Sequence, residues 1–143
     1  MWKIWLIVLA LWLLPMSADA EVLTPQEAQA RLSSGEITIV DVRLPVEWAE
    51  TGLPEGSLGI SLQDQTLGLR SGFVEDVLRA LDGDRDRPVA LICARGHRSA
   101  FAQKLLADNG FTAVHDIGEG VIGGEQGPGW LQRRLPTEPC AVC

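Results

Sequence analysis

The chain has 143 residues, of which 46% are hydrophobic, and its formal net charge at pH 7 is −7. This length is enough for one domain with one hydrophobic core and too short for two. The acidic balance, without basic runs, excludes the electrostatics typical of nucleic-acid binding and of docking on anionic membranes, so no nucleic-acid partner is expected.

The first twenty residues have a different character from the rest. Lys3 precedes an apolar stretch at residues 4–14, and small residues follow at 17–20. This is the pattern of a secretory signal peptide with a cleavage site after Ala20. The apolar stretch is shorter than the ~20 residues needed to span a bilayer, so a stable membrane anchor is the less favoured alternative. We expect a signal peptide over residues 1–20 and an exported protein, periplasmic or secreted.

The remaining chain alternates between helical and extended patterns. Thr24-Pro25-Gln26-Glu27 has the form of a capping box with proline at the first helical position. Apolar runs and apolar spacing of three and four residues predict the other elements. In chain order these are a helix from residue 24, a strand at 37–42, a weaker strand at 58–62, a helix at 72–81, a strand at 89–92, a helix at 99–109, a strand at 112–116 and a short helix at 130–134. This alternation predicts an α/β fold with a parallel sheet and helices on both faces.

The most informative segment joins the strand at 89–92 to the helix that follows it. Cys93 ends the strand, and the next six residues form a loop that leads into the helix: Ala94, Arg95, Gly96, His97, Arg98 and Ser99. Backbone N–H groups of such a loop can converge on an anion or on a sulfur atom. Cysteines at helix N-termini beside cationic residues titrate at roughly 3.5–7.5 instead of ~8.5. Cys93 is therefore the candidate nucleophile, and a buried structural cysteine is the less favoured alternative.

The pattern Cys-x-x-Gly-x-Arg-Ser after an apolar strand resembles the active-site loop of the rhodanese sulfurtransferases. Asp41-Val42-Arg43 and Pro45-Val46-Glu47-Trp48 are similar to further segments of that family. Leu53 departs from the family pattern, because it stands where histidine is usual. The resemblance implies a rhodanese-like domain over residues 21–136, with a central parallel sheet of about five strands.

The resemblance also implies a chemistry. The Cys93 thiolate would attack the outer sulfur of thiosulfate or a similar donor, release sulfite and hold the transferred sulfur as a persulfide. Cyanide or a thiol would then accept that sulfur. Arg95 and His97 are expected to steer the anionic donor, and Gly96 to meet a backbone requirement of the loop. Neither a cofactor nor a metal is implied.

Two further polar residues are expected near Cys93. Asp41 and Cys93 both end parallel strands, and the carboxyl ends of such strands share one edge of the sheet. Asp41 is expected either to orient a loop arginine, Arg98 in the first instance, or to cap the turn that follows it. Arg43 is expected either at the substrate edge or in a surface ion pair.

Two other functional classes compete with sulfur transfer. Cysteine phosphatases and arsenate reductases also place a thiolate before a helix, but with five residues between cysteine and arginine, whereas four separate Cys93 from Arg98. One residue fewer shortens the loop by ~3.3–3.6 Å of contour, which favours a single sulfur over a tetrahedral oxyanion. The other alternative is a non-catalytic module that carries sulfur or binds a partner.

The chain ends in a tail, residues 137–143, that contains Cys140 and Cys143. In an oxidising compartment the simplest expectation for this C-x-x-C pair is a local disulfide. A zinc half-site is less favoured, because the chain holds only two histidines. The remaining alternative is that the pair resolves the Cys93 persulfide or forms a mixed disulfide with Cys93, which would imply a thiol-redox protein partner.

Overall fold

A four-stranded parallel sheet forms the centre of the protein in a computed structural model that describes residues 20–143. The predicted signal peptide lies outside the described residues, apart from Ala20. The elements in chain order are α1 (Pro25–Ser33), β1 (Thr38–Asp41), α2 (Pro45–Thr51), β2 (Leu53–Pro54), β3 (Leu58–Gly59), α3 (Phe73–Ala80), β4 (Val89–Ile92), α4 (His97–Asp108), β5 (Val114–Asp116), α5 (Gly129–Gln132) and β6 (Thr137–Glu138). No helix within residues 20–143 is long and apolar enough to cross a membrane.

The strand order of the main sheet is β3-β1-β4-β5, with β1 and β4 in the middle. The predicted α/β fold with a central parallel sheet is thus confirmed, with four strands where about five were expected. Val22 adds a single parallel bridge to Asp116 at the edge of β5. The short strands β2 and β6 pair with each other in a separate antiparallel ladder.

Alternate residues of each central strand point to opposite sides of the sheet, and in this protein both sets are apolar. Helices therefore cover both faces. Val89 and Leu91 of β4 belong to the core beneath α3 and α4. Ala90 and Ile92 belong to the core beneath α1 and α5, where Trp130 is fully buried. Two-sided burial explains why the strand before Cys93 is an uninterrupted apolar run.

The predicted start of α1 is confirmed in its details. The Thr24 hydroxyl accepts a hydrogen bond from the Glu27 N–H at 3.3 Å, and the Glu27 carboxylate accepts one from the Thr24 N–H at 2.8 Å. Proline occupies the first helical position. Half of this pattern opens α2, where the Glu47 carboxylate accepts a hydrogen bond from the Leu44 N–H at 2.9 Å, but the leucine side chain cannot accept one in return.

Arg43 forms a buried ion pair with Asp41 at the carboxyl end of β1. The two side chains are 1% and 0% exposed, and Nη2 of Arg43 lies 2.7 Å from Oδ2 of Asp41. The guanidinium also donates to the Thr51 hydroxyl at 2.9 Å and to the Gly52 carbonyl at 3.0 Å. The expectation of a surface ion pair for Arg43 was therefore wrong: this residue fastens the end of α2 to the end of β1.

Removing the Arg43 charge is expected to destabilise the fold strongly. Arg43→Met leaves the Asp41 carboxylate buried and unpaired, which lowers the free energy of unfolding by about 3–5 kcal/mol. Arg79→Met is the matched control, since Arg79 pairs with Asp76 but its side chain is 77% exposed, and its expected cost is below about 0.5 kcal/mol. Urea unfolding measures both variants. Equal costs would contradict the structural role of the buried pair.

Candidate active site

Cys93 lies directly after β4 and four residues before α4, at the carboxyl edge of the sheet. Its side chain is a free thiol and only 1% exposed. The Gly96 N–H donates a hydrogen bond to Sγ at 3.1 Å, and the Ser99 hydroxyl lies 3.4 Å from the same atom. A sulfur anion at this position therefore has two polar partners inside the protein.

The turn of the loop requires glycine at position 96. Gly96 has φ of +101°, a conformation that L side chains rarely adopt, and an added Cβ would lie 2.2 Å from the carbonyl oxygen of Gly118. The loop is pressed against the glycine-rich segment that follows β5. The residue type at position 96 is thus explained by backbone geometry, as expected, and it brings the Gly96 N–H to the sulfur.

Arg98 is clamped by Glu47, a residue that the sequence analysis did not place in the site. Nη1 and Nη2 of Arg98 lie 2.8 Å from Oε2 and Oε1 of Glu47. The predicted partner, Asp41, binds Arg43 instead, and one of its oxygens accepts the Arg43 backbone N–H at 3.1 Å. The alternative expectation for Asp41, a cap on the turn that follows it, agrees with this hydrogen bond.

The clamp changes the electrostatics around Cys93. The hydrogen bonds from Arg98 hold the pKa of Glu47 below its usual value, with help from the Leu44 N–H, although partial burial opposes the shift. The pKa of Arg98 is raised, first by Glu47 and to a smaller extent by the negative charges of Cys93 and Asp41. The Arg98 charge is therefore close enough to stabilise a negative charge on Cys93 as well as that of its own carboxylate partner.

Two cavities flank the loop. One, of about 720 Å³, is lined by Arg95, His97 and the glycine-rich segment 123–127, and Nη1 of Arg95 donates to the Gly123 carbonyl at 3.1 Å. The other, of about 320 Å³, is more apolar and is lined by Leu62, Gln63, Leu69, His97, Arg98 and Phe101. Arg95 and His97 are exposed, as a steering role requires.

Cys140 and Cys143 form a disulfide. The strand β6 before them is paired with β2, and both cysteines line a cavity whose other walls come from α2, Gly52 and the tail itself. No residue of the loop from Cys93 to Ser99 lines the cavities formed by these cysteines. The local disulfide expected for the pair is present, whereas a resolving role toward Cys93 stays a prediction.

The remaining histidine faces the side of the sheet opposite to Cys93. His115 is 2% exposed and lies on β5, where its Nδ1 is 3.6 Å from the Glu21 carboxylate. Within residues 20–143, no group of three His, Cys, Asp or Glu side chains is arranged to hold a metal ion.

Removing the ion pair between Glu47 and Arg98 is expected to lower the free energy of unfolding by an amount that depends on pH. The lowered pKa of Glu47 means that its ionised form stabilises the native state above about pH 4.3, and that this contribution is lost as pH falls through the native-state value. Glu47→Gln should therefore lower the free energy of unfolding by about 1 kcal/mol at pH 7, since the pair is partly exposed. The difference from wild type should shrink as pH falls below 4.3.

Urea unfolding at several pH values measures this effect. Glu50→Gln, an exposed carboxylate on the same helix, is the control and should change the stability little at any pH. A Glu47→Gln cost that is the same at acid and neutral pH would contradict the assigned ion pair.

The sequence model of the Rhodanese-like domain matches residues 24–123 of this chain. The protein is 27% identical, over 96 residues, to a protein of Pseudomonas syringae pv. syringae described as thiosulfate sulfurtransferase GlpE, with coverage of 67% of this chain and 78% of the relative.

Two solved structures are similar to this chain over most of its length. The polysulfide-sulfur transferase homodimer of Wolinella succinogenes is 26% identical with a TM-score of 0.61, over 89% of this chain and 84% of that one. A protein of Rhodopseudomonas palustris described as a possible tyrosine phosphatase is 27% identical with a TM-score of 0.58, over 83% and 85%. The loop geometry, the fold and these similarities lead to the same conclusion. The chain belongs to the rhodanese-like domain family.

Proposed function

We propose that this protein is a sulfurtransferase that carries sulfane sulfur as a persulfide on Cys93. One observation carries the proposal: a free thiol at the carboxyl edge of the sheet, with the Gly96 N–H 3.1 Å from its sulfur. Fixed donors of this kind stabilise a sulfur anion where water is excluded. The similarity to proteins described as a thiosulfate sulfurtransferase and a polysulfide-sulfur transferase supports it.

The reaction takes place in two half-reactions. The Cys93 thiolate attacks the outer sulfur of thiosulfate, the sulfur–sulfur bond of the donor breaks, and sulfite leaves with the bonding electron pair. A persulfide remains on Cys93. A thiolate acceptor, or cyanide, then attacks the terminal sulfur, and the Cys93 thiolate leaves with the electron pair. Ping-pong kinetics follow from this order.

The charges around the loop suit an anionic donor. The protein carries a net charge of −7, but the exposed side chains of Arg95 and His97 stand at the mouth of the larger cavity. Glu125 lines the same cavity, so the attraction for a small anion comes from the charge of Arg95 and from the hydrogen-bond donors of Arg95 and His97. Thiosulfate is a donor of the right charge.

Phosphate-ester hydrolysis is the second candidate function, and the neighbour described as a possible tyrosine phosphatase favours it. Phosphate recognition by arginine uses two parallel N–H groups. In this protein both terminal nitrogens of Arg98 are bound to Glu47, and the loop is one residue shorter than that of the cysteine phosphatases. These features favour sulfur as the cargo.

The proposal predicts that thiosulfate alone adds one sulfur atom to the protein. Purified protein incubated with thiosulfate should gain the mass of one sulfur, and Cys93→Ser should gain none. Cyanide should then remove the added sulfur and yield thiocyanate. Hydrolysis of a phosphate ester by wild type but not by Cys93→Ser, without any gain of sulfur, would reverse the order of the two candidates.

We further propose that the protein works outside the cytosol, because the signal-peptide pattern of residues 1–20 and the Cys140–Cys143 disulfide both suit an oxidising compartment. Protein recovered from the periplasm or medium of expressing bacteria should have the intact mass of a chain that begins at Glu21. Because Cys93 is buried, the protein is alkylated under denaturing conditions: alkylation before reduction should label Cys93 alone, and alkylation after reduction should label three cysteines. An uncleaved chain in the cytosol with three free thiols would contradict export.

A further inference from the structure

The smaller cavity beside the Cys93 loop has no role in the reaction described above. Its volume is about 320 Å³, and its apolar walls are Leu62, Leu69 and Phe101. Leu69 and Phe101 are 52% and 55% exposed. A single exposed apolar side chain needs no explanation, whereas a group of them around one cavity marks a binding site.

The cavity borders the reacting group. His97 and Arg98 of the Cys93 loop form its polar wall. Leu62 is 3% exposed and belongs to the same buried cluster as Cys93, so this part of the cavity lies on the face of the sheet that carries the sulfur. The larger cavity includes Ile122, which packs against the cluster on the opposite face. The loop therefore lies between two cavities of different character.

The charges around the smaller cavity suit an uncharged group. Of the described residues that line it, Arg98 alone carries a permanent charge, and both of its terminal nitrogens bind the Glu47 carboxylate. An anionic donor such as thiosulfate finds a better partner at Arg95 in the larger cavity. A ligand with an apolar body would instead remove Leu69 and Phe101 from water, which favours binding.

A strained turn holds one wall of the smaller cavity. Leu67 has φ of +65°, in the left-handed region that bulky side chains rarely adopt. The Asp64 N–H donates to the Gly68 carbonyl at 2.9 Å, and the Asp64 carboxylate accepts from the Gly68 N–H at 3.2 Å. Gln63 donates from its side chain to the Leu67 carbonyl at 2.8 Å and forms an antiparallel bridge with Leu69. Strain of this kind persists only where the surroundings fix it, and it is typical of binding sites. The wall is therefore preformed.

We propose that this cavity binds the sulfur acceptor, and that the acceptor is a small thiol whose sulfur is attached to an apolar chain. The inference rests on the proposed function, because it names the substrate of the second half-reaction. The volume is that of a site for a small molecule. The acceptor gives its thiol proton to water, its thiolate attacks the terminal sulfur on Cys93, and the sulfur–sulfur bond breaks. Cys93 leaves as a thiolate with the bonding electron pair, and the acceptor departs as a persulfide.

Ethanethiol and butanethiol test the proposal, because they share one reacting group and differ by two CH₂ groups. Protein that carries one sulfur on Cys93 is freed of donor and mixed with each thiol below saturation. Butanethiol should remove the sulfur about tenfold faster than ethanethiol, since each partly buried CH₂ contributes about a threefold change. Intact mass measures the loss of sulfur.

Substitutions in the apolar wall should remove this preference. In Phe101→Gln the ratio of the two rates should fall to about two, because the butyl chain then meets a polar side chain. Val46→Gln is the matched control: Val46 is 60% exposed on another helix and lines neither cavity, so the wild-type ratio should remain. The ratio compares two thiols on one protein, so a general loss of activity cancels. Leu69→Gln repeats the test on the turn if Phe101→Gln does not fold.

Equal rates for the two thiols in wild type, or a ratio that both wall substitutions leave unchanged, would overturn the proposal. So would equal rates for the two thiols together with faster transfer to a cysteine peptide that Phe101→Gln slows, because the cavity would then serve a polypeptide acceptor.

A second measurement needs no persulfide and separates this inference from the proposed function. Ethyl and butyl methanethiosulfonate transfer an alkylthio group to the unloaded Cys93 thiolate, and methanesulfinate leaves with the bonding electron pair. The same preference for butyl, and its loss in Phe101→Gln, are expected in the rate at which the mixed disulfide forms. A chain that never gains sulfur from thiosulfate but shows this preference overturns the proposed function and supports the apolar site. A chain that gains sulfur without the preference overturns this inference alone.

Discussion

A sulfur anion that is almost completely removed from water must be stabilised by the protein, and the site follows from this requirement. The Cys93 side chain is 1% exposed, so hydration contributes little, and an unsolvated charge is costly. The fold compensates with fixed groups: the Gly96 N–H, the Ser99 hydroxyl and the start of α4. Each depends on the close fit of the loop against Gly118, which only glycine at position 96 permits.

The positive charge of Arg98 is positioned by residues that lie outside the Cys93 loop. Arg98 lies on the first turn of α4, and Glu47 on the first turn of α2 holds it with two hydrogen bonds. The helix α2 is fastened in turn to β1 by the buried pair of Arg43 and Asp41. The position of a positive charge near Cys93 thus depends on an ion pair at the end of a neighbouring strand. Both segments that resemble the family pattern, the Asp-Val-Arg triplet and the short helix after it, therefore help to position Arg98, although they precede the nucleophile by about fifty residues.

The features that follow from local rules were the ones that could be predicted from the sequence. The capping box at Thr24 and the buried strand before Cys93 depend on residues within a few positions of each other. The partner of Arg98 lies 51 residues away, and no spacing rule connects the two. Glu47 did have a recognisable pattern, since it follows Pro45 at the third position of a helix. That pattern predicts a cap at the start of α2 and not an ion pair with Arg98. The weaker strand at 58–62 is reduced to two residues, although Ile60 and Leu62 still donate to the Asp41 and Val42 carbonyls.

The burial of Asp116 could not be predicted from the sequence, because its pattern there is that of a polar residue at the end of a short strand. Only the parallel register, which sets Asp116 beside Leu91, places it on the face of the sheet that also carries Cys93. The same register explains why His115 and Asp116, which are adjacent in the chain, have different surroundings. His115 faces the opposite side of β5, where its Nδ1 lies 3.6 Å from the Glu21 carboxylate. Asp116 shares its face of the sheet with Leu91, and burial raises the pKa of its carboxyl. The burial of this carboxyl thus depends on the pairing of β5 with β4, a contact between distant parts of the chain that no local rule predicts.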